Sequence, residues 1–189
     1  MSRWTKALLV LASILGGLFV LAVVTMIAYR IPSSAMEPTL HCAKPAAGCE
    51  ADHMDRILVS RWSYDLRDPR RGELVAFRTP PPVQMACGGF PGSSATFVKR
   101  LIAIPGDRWR ERNGFIYING AKLDEPYVKA DRRDTDSIPQ KTVPKGQYIV
   151  LGDNRSSSCD SRRWGTVPRK NLIGPVVAVY WPPKRIGFR

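Results

Sequence analysis

The sequence predicts a mainly β fold, in which one apolar N-terminal helix precedes a single antiparallel β-rich domain. The chain has 189 residues, which is enough for one domain and an anchor. Its 16 prolines and 15 glycines suit a turn-rich β body better than a helical bundle. After residue 30, no stretch shows the long helical period of apolar residues that would indicate further long helices.

The N-terminal segment predicts a membrane anchor. Ala7–Tyr29 contains no charged residue, and at about 1.5 Å per residue a helix of this length would reach roughly 34 Å, enough to cross a bilayer. A cleavable signal peptide has a shorter apolar core and ends in small residues, whereas Tyr29 and Arg30 stand at the end of this run. We therefore expect a short cytoplasmic N-terminus and an uncleaved, single-pass anchor in residues 1–30. Residues 31–189 would form the extracytoplasmic domain.

The charge of the chain indicates an anionic partner. The formal net charge is +13, and Arg3, Lys6 and Arg30 are the charged residues of the first 30 positions. A charge of this size is typical of proteins that bind nucleic acid or an anionic membrane surface. Because an apolar segment is present, the bilayer is the favoured partner, and no nucleic-acid partner is expected.

The cysteines predict disulfides. There are four of them, at Cys42, Cys49, Cys87 and Cys159. An even number in an exported domain permits two disulfides, and we favour Cys42–Cys49 as a short local loop, which leaves Cys87–Cys159. A zinc site that uses His41 and His53 with the first two cysteines is the alternative. Zinc-binding cysteines usually lie closer together than these, so no metal is expected.

Short apolar runs bounded by turn residues predict the strands of the domain. In chain order they are Arg56–Ser60, Glu73–Arg78, Thr96–Ile104, Tyr148–Leu151 and Leu172–Trp181. A hairpin is expected over Arg108–Leu123, turning at Asn113-Gly114, because type I′ turns prefer this pair. Thr79–Ala95 is predicted to be a long surface loop, and Tyr127–Lys145 is expected to be irregular.

One lysine lies on an apolar face of a predicted strand. In the run TFVKRLIAI, alternation places Phe97, Lys99, Leu101 and Ala103 on the same face. If this face is buried, desolvation lowers the pKa of Lys99, and a neutral amine can act as a general base. Serine–lysine dyads are a known variant of the serine–histidine arrangement. The alternative is a lysine on an edge strand that extends to water.

Three separated motifs point to one family. They are IPSSAMEPTL after the apolar run, FVKRLIAIPGD around Lys99, and LGDNRSSSCDSRRWGTVP after a late strand. Together and in this order they resemble the motifs of bacterial type I signal peptidases, the membrane-bound serine–lysine proteases that remove signal peptides from exported proteins. The resemblance covers nearly the whole chain. It implies a mostly β extracytoplasmic catalytic domain in the bacterial plasma membrane, and no cofactor. The implied partners are preprotein signal peptides, the lipid bilayer and the secretion translocon.

The first two motifs imply the reacting groups. The family loop is I-P-S-x-S-M-x-P-T, in which Ser33 matches the serine whose hydroxyl helps bind the oxyanion. Met36 matches the methionine that lines the substrate pocket, and Lys99 matches the general base. The family prefers small residues at the first and third positions before the cut.

The third motif implies the groups that support the lysine. Ser158 matches the serine that hydrogen-bonds it, and Asp160 and Arg162 match the charged pair that braces the site. The start of the motif matches at Gly152, Asp153, Asn154 and Arg155.

The chain departs from the family at the nucleophile. The residue before Met36 is Ala35, and a methyl group cannot attack a carbonyl carbon. The favoured interpretation is a Ser→Ala replacement that holds an enzyme inactive. The alternatives are a naturally non-catalytic homologue that binds signal peptides, and an enzyme that uses Ser34. The last is disfavoured because a one-residue slip in extended backbone reverses the direction of the side chain.

Overall fold

The computed structural model describes residues 3–87 and 95–189. The apolar N-terminal run forms helix α1 (Arg3–Val24), which is followed directly by strand β1 (Met26–Arg30). The prediction of one helix through Tyr29 is therefore wrong at its C-terminal end, because β1 pairs along its whole length with the strand Arg56–Ser60. Among the described residues, no helix combines the length and mean hydropathy needed to cross a membrane.

Antiparallel strands form the body. After β1 they are β2 (Arg56–Ser60), β3 (Leu74–Arg78), β4 (Thr96–Ala103), β5 (Arg108–Arg112), β6 (Phe115–Ile118), β7 (Ala121–Lys122), β8 (Ile138–Thr142), β9 (Gln147–Leu151), β10 (Val167–Pro168), β11 (Leu172–Trp181) and β12 (Gly187–Phe188). Within the described ranges, the larger sheet has the order β1-β2-β11-β3-β4-β9-β10, with β12 on β11, and the smaller has the order β7-β6-β5-β8. The mainly β, antiparallel prediction is confirmed.

Helical segments after α1 are short. They are α2 (Ser63–Leu66), α3 (Pro81–Cys87) and α4 (Ser161–Trp164), with single 3₁₀ turns at Ser34–Met36, Ala130–Arg132, Arg155–Ser157, Arg169–Asn171 and Pro183–Arg185. Helix α3 lies in the segment predicted as a surface loop. Of that predicted loop, residues 88–94 fall outside the described part of the chain.

The smaller sheet contains one confirmed and one missed feature. Asn113 and Gly114 both have positive φ, 49° and 73°, as a type I′ turn between β5 and β6 requires. Strand β8 lies in the segment expected to be irregular. Its residues after Ile138 are exposed on both faces, so the strand carries no apolar alternation that a sequence pattern could reveal.

Strand β4 is an interior strand and follows the predicted alternation for most of its length. Phe97 and Leu101 pack in the same apolar cluster. Ala103 does not share this cluster but packs with Ile102 and Ile149 in another one. A register shift between Leu101 and Ala103 in the pairing with β9 explains the change of face.

Both expected disulfides are present. Cys42 is bonded to Cys49, and Cys87 is bonded to Cys159. The first closes a short loop after the IPSSAMEPTL segment, and the second joins the end of α3 to the third motif. Because all four sulfurs are oxidised, Cys42 and Cys49 are not available as zinc ligands, and the zinc alternative that used them is excluded.

Candidate active site

The loop that carries position 35 is held by the third motif. Ser34–Met36 form one turn of 3₁₀ helix after an extended Ser33, whose φ is −127° and ψ 154°. The backbone N–H of Asn154 donates to the carbonyl of Ala35 at 3.1 Å. The side-chain amide of Asn154 donates to the carbonyl of Ser34 at 3.0 Å. Two hydrogen bonds from one residue therefore fix the backbone on which residue 35 sits.

Lys99 is buried at the centre of the site. Its side chain is 4% exposed, and its Nζ donates to the hydroxyl of Ser158 at 2.9 Å. Burial lowers the pKa of Lys99 to about 8, with Arg162 adding to the effect, while Asp160 and Asp153 oppose it. The alternative of an edge lysine that reaches water does not hold, because β4 lies between β3 and β9.

Gly152 allows the loop that carries Ala35 to approach the segment that carries Ser158. A Cβ on Gly152 would lie 2.2 Å from the Oγ of Ser158 and 2.5 Å from the carbonyl oxygen of Ala35. Neither separation is possible for a real side chain. Because residue 152 is glycine, the carbonyl of Ala35 and the side chain of Ser158 can both pack directly against its backbone.

Asp160 and Arg162, the charged pair that the resemblance implies, are hydrogen-bonded to each other. Asp160 is fully buried and accepts from the Nε and Nη2 of Arg162 at 2.8 and 2.9 Å. It also accepts from the backbone N–H of Gly152 at 3.0 Å. Burial alone would raise the pKa of Asp160, but Arg162 and Lys99 outweigh this effect and lower it. An ionised Asp160 thus ties Arg162 to the backbone beside Ser158.

Further buried ion pairs surround the site and were not predicted from the sequence. Arg100 donates to both carboxylate oxygens of Asp153, at 2.8 and 2.6 Å. Arg155 is 2% exposed and donates to the buried carboxylate of Glu125, at 3.3 Å through Nη1 and at a shorter distance through Nη2. Arginine–carboxylate forks of this kind fix orientation as well as charge. Within the third motif, Asp153 and Arg155 therefore form ion pairs with Arg100 and Glu125, and neither is among the described residues that line the cleft.

A cleft of about 480 Å³ joins the predicted reacting groups. Its described lining residues are Arg30, Ile31, Pro32, Ser33, Ala35, Met36, Cys87, Ala95, Thr96, Phe97, Val98, Lys99, Ser157 and Cys159. The segment 30–33 forms one wall and the first half of β4 the other. Position 35 and Lys99 thus open into one cavity, and Met36, 2% exposed, contributes to its apolar lining. The sequence did not indicate that the Cys87–Cys159 disulfide also lines it.

Ser34 is directed away from this cleft. A Cβ on Gly48 would lie 2.8 Å from the Oγ of Ser34 and 3.0 Å from its Cβ. The side chain therefore packs against the loop closed by Cys42–Cys49. Among the described residues that line the cleft, Ser33 and Ala35 are present and Ser34 is not. Ser34 and Ala35 thus point in different directions, as expected, but the reason is the 3₁₀ turn at Ser34–Met36 and not the extended backbone that the sequence predicted.

One group of possible metal ligands comes together among the described residues: Glu37, His41 and Glu50. The carboxylate of Glu37 already accepts from the backbone N–H groups of Cys42, at 3.1 Å, and Glu50, at 3.2 Å, and it contacts Nδ1 of His41. The Glu50 carboxylate accepts from Arg132 at 2.7 Å. These contacts account for the group as the anchor of the disulfide loop, without a metal ion.

An open cleft between two extended segments, with a buried lysine at one point along it, is the kind of site that binds an extended peptide. The family described as "Signal peptidase, peptidase S26" matches residues 1–181, and the chain belongs to this family. It is 41% identical over 182 residues to a probable signal peptidase I-2 from Synechocystis, an alignment that covers 92% of this chain and 75% of that one.

Other relatives carry the same description. Signal peptidase I from Leptolyngbya laminosa is 38% identical over 157 residues, which cover 83% of this chain and 70% of that one. The crystal structure of a signal peptidase I from Enterococcus faecalis is 32% identical, with a TM-score of 0.45, and the match covers 58% of this chain and 97% of that one. The relatives from Synechocystis and Leptolyngbya laminosa indicate a type I signal peptidase function, as the three motifs predicted.

Proposed function

We propose that the chain has the machinery of a type I signal peptidase, an endopeptidase that removes N-terminal signal peptides from exported preproteins after small-x-small sites. Serine at position 35 and Lys99 would form its catalytic dyad, and this chain, with Ala35, is the inactive form. The observation that carries the proposal is the buried amine of Lys99, which is hydrogen-bonded to Ser158 in the cleft that position 35 also lines. Because burial lowers the pKa of Lys99 to about 8, about a tenth of the molecules would hold the neutral base at pH 7.

With serine at position 35, the reaction would follow serine–lysine chemistry. Lys99 removes the hydroxyl proton, and the oxygen attacks the carbonyl carbon before the scissile bond. Two donors stabilise the oxyanion: the hydroxyl of Ser33 and the backbone N–H of residue 35. Ser33 is exposed and lines the cleft. Each donor lowers the activation free energy by about 3 kcal/mol. Lys99 returns the proton to the leaving amine, and water hydrolyses the acyl-enzyme. None of these steps needs a metal or an organic cofactor.

The cleft is suited to an extended signal peptide. Its walls are extended backbone at 30–33 and in β4, so a substrate can add as a further strand through main-chain hydrogen bonds. Apolar side chains such as Ile31, Met36 and Phe97 line it. Shallow apolar pockets exclude bulky side chains more effectively than they reward a good fit. This accounts for small residues at the first and third positions before the cut.

We further propose that the protein lies in the bacterial plasma membrane, with a single-pass anchor in the N-terminal apolar run. Its partners would then include the lipid bilayer and the secretion translocon. The disulfides support an extracytoplasmic domain, because they persist in oxidising compartments. The anchor would then be contained in α1, and the extracytoplasmic domain would begin at β1 rather than at residue 31.

A second candidate function follows from Ala35 itself. A homologue without a nucleophile could bind signal peptides in the same cleft and release them uncut. The intact Lys99–Ser158 hydrogen bond favours the enzyme, because an ammonium in an apolar setting costs stability unless it is used. The two candidates differ in what happens when a hydroxyl is supplied at position 35.

The test is to compare Ala35→Ser with the unchanged chain in liposomes that contain a preprotein whose signal ends in Ala-x-Ala. A double variant, Ala35→Ser with Ser34→Ala, serves as the matched control. We expect cleavage by both serine-containing variants and none by the unchanged chain. Cleavage by the unchanged chain would contradict the assignment of position 35. Binding of signal peptide by all three proteins without cleavage would establish the binding protein instead.

A further inference from the structure

A buried carboxylate near the site has no obvious role. Glu111 lies in β5 and is 2% exposed. Among the described residues, neither of its carboxylate oxygens has a hydrogen-bond partner. Buried carboxylates are normally satisfied by several hydrogen bonds, because an unpaired one is costly. The sequence motifs do not include Glu111, and its presence therefore needs a physical explanation.

Glu111 forms an ion pair with the arginine that braces the lysine. The Nη1 of Arg162 lies 3.6 Å from Oε1 of Glu111 and also contacts the carboxylate of Asp134. A different edge of the same guanidinium, Nε and Nη2, holds Asp160. The guanidinium of Arg162 therefore lies between the carboxylates of Glu111 and Asp160, and Asp160 acts on the charge of Lys99.

We propose that Glu111 is a positioning residue of the serine–lysine site: its carboxylate shares Arg162 with Asp160, and its negative charge stabilises the ammonium form of Lys99. This inference rests on the proposed function for its consequence in catalysis. The charge of Arg162 disfavours the Lys99 ammonium, as burial does, and the charges of Asp160 and Asp153 favour it. A second carboxylate on Arg162 offsets part of the cation's charge, so the balance at Lys99 moves towards the ammonium.

The ionisation of Glu111 falls in the range where it would matter. Burial raises its pKa to about 7, and Asp134 and Asp160 act in the same direction, while Arg162 and Arg155 oppose it. Glu111 is thus mostly ionised at the pH where Lys99, with its pKa lowered to about 8, loses its proton. The charged groups that act on Glu111 are Asp134, from the segment before β8, and Arg155, Asp160 and Arg162, all from the third motif.

The first experiment measures Lys99 directly in the chain as it stands, with Ala35. The titration of the Lys99 side chain is followed by NMR of the carbon next to its amine, and the signal is assigned by its absence in Lys99→Met. Glu111→Gln removes the charge and keeps the shape. The matched control is Asp136→Asn, which also removes one negative charge. Asp136 is exposed and lines the same polar cavity as Arg162, but it does not pair with the guanidinium.

We expect Glu111→Gln to move the Lys99 midpoint to lower pH by several tenths of a pH unit, and Asp136→Asn to leave it nearly unchanged. A midpoint that stays in place in Glu111→Gln, or that moves equally in both variants, would overturn the proposal. Because this measurement does not need cleavage, its failure is distinct from a failure of the proposed function. In the Ala35→Ser background, the acid limb of the rate profile should move in the same direction in Glu111→Gln.

Discussion

Replacing the buried lysine by methionine should change stability in a way that depends on pH. The pKa of Lys99 falls from 10.5 to about 8, which corresponds to about 3 kcal/mol of free energy at about 1.4 kcal/mol for each pKa unit. The folded state binds this proton more weakly than the unfolded state does. Stability therefore rises as the pH increases from about 8 to 10.5. Below pH 8 the chain carries the full cost of burying the ammonium.

Methionine has nearly the same length and no charge, so Lys99→Met removes this cost. It also removes the hydrogen bond to Ser158 and leaves a buried hydroxyl, which costs about 1 kcal/mol. We expect Lys99→Met to be more stable than the parent by about 2 kcal/mol at pH 6, from the difference of these two effects. Near pH 10 it should be equal or slightly less stable, because the ammonium cost is then largely absent.

The assay is urea unfolding followed by tryptophan fluorescence at both pH values, with Ala35 retained so that no proteolysis intervenes. The matched control is Lys145→Met, at an exposed position. It should change the free energy of unfolding by the same small amount at both pH values. If Lys99→Met has the same effect on the free energy of unfolding at pH 6 as at pH 10, the buried-ammonium argument is refuted.

Three further predictions concern the surroundings of Lys99. In the Ala35→Ser background, Gly152→Ala should lower kcat by about 100-fold or more, because its Cβ would displace Ser158 from a position now 2.2 Å away; unchanged kinetics would show that the close approach is not needed. Ser158→Ala in that background should cost about 10-fold to 100-fold in kcat/KM with little change in KM, through the lost hydrogen bond to the lysine. A purely structural role would appear as lower stability with normal kinetics in the folded fraction. Removing the 72-residue cross-link with Cys87→Ser and Cys159→Ser should lower the free energy of unfolding by about 4 kcal/mol, and equal urea midpoints would contradict this.

Much of the fold could be predicted because its strands have clear local patterns. Strand β11 occupies Leu172–Trp181 and β2 occupies Arg56–Ser60, as predicted, and the Asn113-Gly114 turn has the expected backbone. Strand β8 was missed because its side chains are largely exposed. The end of α1 was misplaced because Met26–Arg30 continues the apolar composition, and its pairing with β2 is a long-range effect.

The candidate site could be predicted in part for a similar reason. Alternation within β4 placed Lys99 between apolar neighbours but left open whether it reaches water, and the motifs implied the roles of Lys99, Ser158, Asp160 and Arg162. Glu111 could not be found, because its significance depends on contact with Arg162 from a distant segment. A glutamate on a half-polar strand looks like any solvated charge until the tertiary structure buries it.

The most direct test of the serine–lysine account is to identify the residue that becomes acylated. Ala35→Ser would be mixed with excess preprotein, quenched rapidly with acid, digested and analysed by mass spectrometry. The account predicts a covalent signal-peptide adduct on the peptide fragment at position 35, and no adduct when Lys99→Met is also present. An adduct on Ser34, or cleavage that persists without Lys99, would contradict it.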